Sequence, residues 1–123
     1  MSIEYKRPIY IKTDIKTFSH SYTRIKQRAK LKTKEDVKNF LKGVSRNGIP
    51  FSKIPKTKEF SSFFFYIKNI KEKCNKRHLF NNLYLYKDFI ILVSLEGNIL
   101  TVLNVDKRFE GMYDKIKSYL SKL

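Results

Sequence analysis

Apolar residues recur along this chain with two different periods, and the change of period divides it. Phe18, Tyr22, Ile25 and Ala29 stand three or four apart, which predicts a helix from Phe18 to about Lys30 with Thr17 or Ser19 as N-cap. Thr33 followed by Asp36 is a variant capping box. It opens a second helix whose buried stripe is Val37, Phe40, Leu41 and Val44 and which Gly48 stops. Residues 49–58 carry Pro50 and Pro55, follow neither period, and read as a linking loop. In residues 59–74, Phe63, Phe65 and Ile67 would line a strand. Phe60, Phe63, Phe64, Ile67, Ile70 and Cys74 fit a helix over a longer span, and the longer fit decides for a helix.

Beyond it the period changes to that of strands. "NLYLYK" (82–87), "DFIILVSLE" (88–96) and "NILTVLNVD" (98–106) are rich in aromatic and β-branched residues, with Gly97 and Asn98 supplying the last turn. Phe109, Met112, Tyr113, Ile116, Tyr119, Leu120 and Leu123 then return to helical spacing, leaving Lys115, Lys117 and Lys122 for solvent. The expected fold is therefore α+β. N-terminal helices pack on a three- to four-stranded antiparallel sheet, and an amphipathic helix over 110–123 closes the chain. Residues 1–16 read as an arm or an edge strand, from the brief alternation at Ile9 and Ile11. All 123 residues fit one domain.

Charge changes the picture from fold to partner. Lys and Arg number 27 against 11 Asp and Glu, a formal charge of +16 whose self-repulsion an anionic partner would relieve. Lysines make up 21 of the 27, and Ile, Asn, Tyr and Phe are abundant, as in proteins from AT-rich genomes. That bias explains Lys over Arg but not the shortage of carboxylates, so nucleic acid is the expected partner. One cysteine, Cys74, excludes an internal disulfide, and two histidines far apart in sequence do not complete a zinc site with it. No metal or cofactor is expected. "FIILVSLEGNILTVLNV" is interrupted by Glu, Gly and Asn, and the N-terminus has no apolar run of signal length. A soluble, cytoplasmic protein without membrane contact is the expectation.

The candidate chemistry lies on the first helix. His20, Arg24 and Arg28 are spaced by four, so their Cβ atoms form a row about 5 to 6 Å apart beside the core stripe. A neutral imidazole can take a proton from a ribose 2′-hydroxyl, and fixed guanidiniums can neutralise the charge developing on the phosphorus, all without metal. Two like charges lower the imidazole pKa, which suits a base and hinders an acid. Lys76, Arg77 and His78 stand where the sheet begins, and Arg46 adds a cation on the second helix. Tyr84 and Tyr86, alternating on one strand, are candidates for stacking on unpaired bases. The plainer reading of each is strong. A basic row on an amphipathic helix is most often a solvated or phosphate-binding face, His78 a turn histidine, Cys74 a core filler, and alternating tyrosines ordinary sheet packing.

Four segments, "SHSYTRIKQR", "KTKEDVKNFLKGVSRNG", "LYLYKDFIILVS" and "LTVLNVDKRF", together resemble small phage and toxin-module proteins. Those have an H-x3-R-x3-R helix, a second helix, and a strand pair ending in an "LITVY"-like motif. The resemblance extends to the barnase, colicin and RelE-like ribonucleases, in which helices pack on an antiparallel sheet. It implies metal-independent RNA cleavage, with His20, Arg24 and Arg28 in the site and Thr101 on the strand facing them. One departure stands out: Leu103 occupies the position of the motif's tyrosine, and "NVD" replaces its proline-containing tail.

Two functions follow as expectations. The first is a toxin-type or phage-encoded endoribonuclease, with His20 as base, Arg24 and Arg28 as phosphate clamps, and Lys76 and Arg77 guiding RNA, ribosome-associated or free. The second is a non-catalytic binder of nucleic acid or of a nucleoprotein complex, such as a phage inhibitor of a host defence complex. An acidic protein partner that masks the basic face fits either. A third and weaker possibility is a structural partner that docks through its C-terminal helix.

Overall fold

A computed structural model describes residues 11–12, 19–77 and 82–123, with the side chains of His20 and Arg77 excepted. The elements run α1 (His20–Arg28), α2 (Lys34–Asn47), β1 (Ile49–Pro50), α3 (Ser61–Arg77), β2 (Asn82–Tyr86), β3 (Phe89–Val93), β4 (Ile99–Asn104) and α4 (Met112–Ser121). Short 3-10 turns cover Phe51–Lys53, Lys58–Phe60 and Lys107–Phe109. The class is α+β, with a four-stranded antiparallel sheet in the order β1-β2-β3-β4 and a C-terminal helix. Of the arm or edge strand expected over residues 1–16 the structure describes Ile11 and Lys12, while Thr17 as N-cap, Phe18 and His78 lie outside the described residues. Of the arm, Ile11 is buried and the Lys12 amide donates to the Gly97 carbonyl at 2.9 Å.

Local chemistry sets the helix ends. Ser19 caps α1 by accepting from the Tyr22 amide. Thr33 and Asp36 form the reciprocal capping box of α2, and amides of Lys32 and Thr33 hold the Asp36 carboxyl below its ordinary range. Residues 49–58 are not wholly a loop. Ile49 pairs with Leu85 and Pro50 with Tyr84, so the segment supplies the fourth strand, at the edge where proline's missing N–H leaves no ladder bond unmade.

Helices cover both faces of the sheet. Phe40 of α2 meets Tyr86 and Phe89 edge-on, at 5.5 Å in each case, and Tyr113 of α4 meets Tyr86 at 5.8 Å. Leu103, paired with Ile90 and therefore on the opposite face from Phe89, lies instead against Ile70 and Cys74 of α3. The core runs through both layers, including Ile25, Leu41, Phe63, Ile67, Leu83, Leu85, Ile90, Leu92 and Ile116, all fully buried.

α4 is fastened to α2 by the Tyr113 hydroxyl, which donates to the Asn47 carbonyl at 2.8 Å. Burial, followed by the neighbouring Tyr86 and Asp114, pushes the Tyr113 phenol up to about 12. A tyrosine whose folded pKa is raised stabilises fully below its unfolded value, and that contribution is lost as pH climbs from about 10 towards 12. Tyr113→Phe is expected to lose about 1 kcal/mol at neutral pH for the missing hydrogen bond. Urea midpoints taken at pH 7 and again near pH 11 should show the gap between wild type and variant closing; a gap that widens would contradict this placement.

Candidate nucleic-acid interface

α1 lies along the open edge of β4, the strand it contacts most extensively. The Ser21 hydroxyl donates to the Ile99 carbonyl at 2.8 Å. The Arg28 guanidinium donates to the Val102 carbonyl and, more weakly at 3.4 Å, to the Thr101 hydroxyl. The Asn104 amide returns a bond to the Arg28 carbonyl at 3.4 Å. The spacing works because two helical turns advance about 10.5 Å and three strand residues about 10 Å. In a regular strand, carbonyls three apart would face opposite edges. Here Leu92 pairs with Thr101 and Val93 with Ile99, so Leu100 is an extra residue, and the resulting bulge turns both carbonyls towards α1.

Arg28 and Thr101 are therefore in contact, with one guanidinium nitrogen of Arg28 engaged by β4. Its guanidinium satisfies an edge carbonyl and holds α1 in place. Arg24, one turn earlier on the same side, is exposed. His20 opens α1 in register with both arginines.

Thr101 and Leu103, two apart on β4, share a face of the sheet. Leu103 forms part of a depression of about 210 Å³ with Ile70, Lys73 and Cys74 of α3. That volume is small for a ligand pocket, which typically spans roughly 300–1,000 Å³. The surface is a shallow groove between β4 and α3 with Lys73 at its rim, and Arg28 of α1 reaches the same face of β4 at Thr101. Lys76 is exposed on α3, and Arg77 ends that helix. Lys73 is not singled out by periodicity because it falls beside the apolar stripe and not on it; its signal is its place next to Cys74, one turn after Ile70.

The electrostatics follow from the sequence. Between Ser19 and Lys34 stand Arg24, Lys26, Arg28, Lys30, Lys32 and Lys34 with no Asp or Glu, and Arg24, Lys30, Lys32 and Lys34 are exposed. Lys26 rests over the Tyr22 ring at 5.4 Å. Elsewhere Arg108 and Asp106 approach at 3.8 Å with both side chains well exposed, an ion pair of little consequence. If every carboxylate in the chain were matched one to one, sixteen cations would still remain.

The other expected contacts divide. Tyr84 and Tyr86 are 7% and 8% exposed, so neither presents a ring to a base; α2 and α4 cover the face they line, and burial raises the Tyr84 phenol pKa. Arg46 is exposed in the last turn of α2, which leads into β1, at the opposite edge of the sheet from β4. It does not join the groove.

The domain is thus an α+β sheet protein with a basic edge helix. Comparison with family models, with curated proteins and with solved structures finds no match. Among the described residues no helix is long and apolar enough to cross a membrane.

Proposed function

We propose that this protein is an RNA-directed binding protein that acts by occupying RNA along the α1–β4–α3 groove. The observation that carries the reading is the run of six cations from Arg24 to Lys34 without a carboxylate, which begins on the helix packed along β4, together with Lys73 beside Leu103 of the same strand. Such an arrangement suits a phosphate backbone, whose bound counterions are released as the lysines and arginines replace them. The choice of RNA rests on the family resemblance. A cytoplasmic setting and an acidic partner that masks the groove belong to the same proposal.

One observation favours a second reading, that of a metal-independent ribonuclease. Arg28 touches Thr101, the pairing that the resemblance implies for the active site. Against it, Arg28 already serves a backbone carbonyl and Leu103 stands where a tyrosine would be.

One experiment separates the two. Wild type and His20→Ala are incubated with total RNA and tRNA in EDTA, and binding to the same RNAs is followed over a salt series. The binder reading expects intact RNA, and an affinity that falls with salt at a log–log slope of about −3 if some four phosphates are contacted. Affinity indifferent to salt would sink that reading. Cleavage by wild type and not by His20→Ala would replace it with the enzyme.

A further inference from the structure

The first turns of α3 carry three consecutive phenylalanines, Phe63 to Phe65, and a helix cannot bury all three. Phe63 is fully buried and Phe64 nearly so, while Phe65 points outward with 57% of its surface exposed. A single exposed apolar residue needs no explanation, but Phe65 is the outer end of a connected set of rings. Phe51 and Phe64 stack at 5.4 Å with an interplanar angle of 26°, and Phe65 meets Phe64 edge-on at 5.6 Å. Lysines surround the set: Lys56 lies 5.4 Å from the Phe64 centroid, Lys71 5.4 Å from Phe51, and Lys68 6.0 Å from Phe65.

The ordinary account is that lysine stems cover these rings and gain a cation–π attraction. It suffices for Phe51 and Phe64. It does not account for Phe65, because 6.0 Å is the outer limit of that attraction and the ring remains mostly in water. The carboxylates nearest to Phe65 in sequence are Glu59, in the turn that leads into α3, and Glu72, two turns on and about 10 Å along the axis. An apolar, flat occupant carrying negative charge fits such a surface, and an unpaired nucleotide has that chemistry. RNA is read chiefly through such unpaired, splayed bases stacked on aromatic side chains.

We propose that Phe65 is a stacking site for an unpaired RNA base, with Lys56 and Lys68 engaging the adjoining phosphates. The assignment rests on the RNA-binding function proposed above and narrows its substrate to single-stranded or looped RNA. Base–aromatic stacking contributes substantially per base, so Phe65→Ala is expected to weaken binding by about tenfold. The slope against salt should stay the same, because every phosphate partner is kept. Folding is not at stake at so exposed a position, which an unchanged thermal melt would verify.

The chain has no tryptophan, so Phe65→Trp installs a single indole whose emission reports stacking directly. A twelve-nucleotide uridine RNA should quench it, while an abasic strand of equal phosphate count should bind more weakly and leave the emission nearly unchanged. Equal quenching by both strands would overturn the stacking site. So would wild-type affinity in Phe65→Ala with RNA binding otherwise intact, and in both cases the groove would stand as the binding surface. If wild type binds no RNA at all, the proposed function fails and this site with it. Tighter binding of the matching deoxy strand would overturn the assignment to RNA.

Discussion

Gly43→Ala is expected to destabilise the protein by about 2 kcal/mol, a fall in melting temperature of roughly 5–10 °C. The sign is the informative part. Replacing a mid-helix glycine by alanine ordinarily stabilises by about 1 kcal/mol, through helix propensity alone. In α2 a Cβ at position 43 would fall on the Tyr86 hydroxyl and lie 2.7 Å from the ring carbon that bears it. The Tyr86 ring has little room to retreat, being held edge-on by Phe40 and by Tyr113. Thermal melts of Gly43→Ala, alone and with Tyr86→Phe, check the cause. The second change removes the hydroxyl but not the ring, so it should restore part of the stability. A stabilised single variant would show that Tyr86 yields easily.

The two arginines of α1 should separate cleanly. Arg28→Ala removes the donor to the Val102 carbonyl and should lower stability by about 2 kcal/mol, in the range for a hydrogen bond from a charged group. Arg24→Ala touches only an exposed side chain and should leave stability within about 0.5 kcal/mol. RNA affinity should respond in Arg24→Ala, with the salt slope shallower by about 0.7 if Arg24 neutralises one phosphate. Arg28→Lys keeps charge and a donor but not the planar fork, so its stability should fall between those of wild type and Arg28→Ala. Urea titrations with RNA binding in parallel measure each of these effects. Equal stability of the two alanine variants would mean that Arg28 is not what holds α1 on the sheet.

Local signals carry the helices in this chain. The Thr33–Asp36 box and the stripe Val37, Leu41 and Val44 set α2, and the longer fit of Phe60 to Cys74 correctly favours a helix over a strand. Ile49–Pro50 is illegible because a two-residue strand has no period, and only the sheet edge it meets makes it one. Tyr84 and Tyr86 mislead for a related reason. Alternation on a strand implies one dry and one wet face, yet here α2 and α3 cover both, and the sequence distinguishes those cases poorly when every position of "LYLY" and "FIILV" is apolar or aromatic. The row at His20, Arg24 and Arg28 is legible as spacing. That Arg28 turns inward to β4 is not, since it depends on which strand lies at the edge and where the bulge at Leu100 falls. Phe65 shows how the helical reading can be extended: a third consecutive phenylalanine must leave the buried stripe, and its direction follows from that stripe alone.

The seal that α1 places along β4 bears on how this chain behaves in company. "ILTVLN" is an apolar strand whose outer edge, if bare, would be a template for pairing with the same strand of another copy. RNA would gather many copies of so cationic a chain at high local concentration, the condition under which such pairing starts. Ser21, Arg28 and Asn104 tie α1 over that edge, and Pro50 blunts the far one. If the chain binds RNA as proposed, this seal would keep crowded copies from pairing edge to edge, and loosening α1 would expose β4 to such pairing.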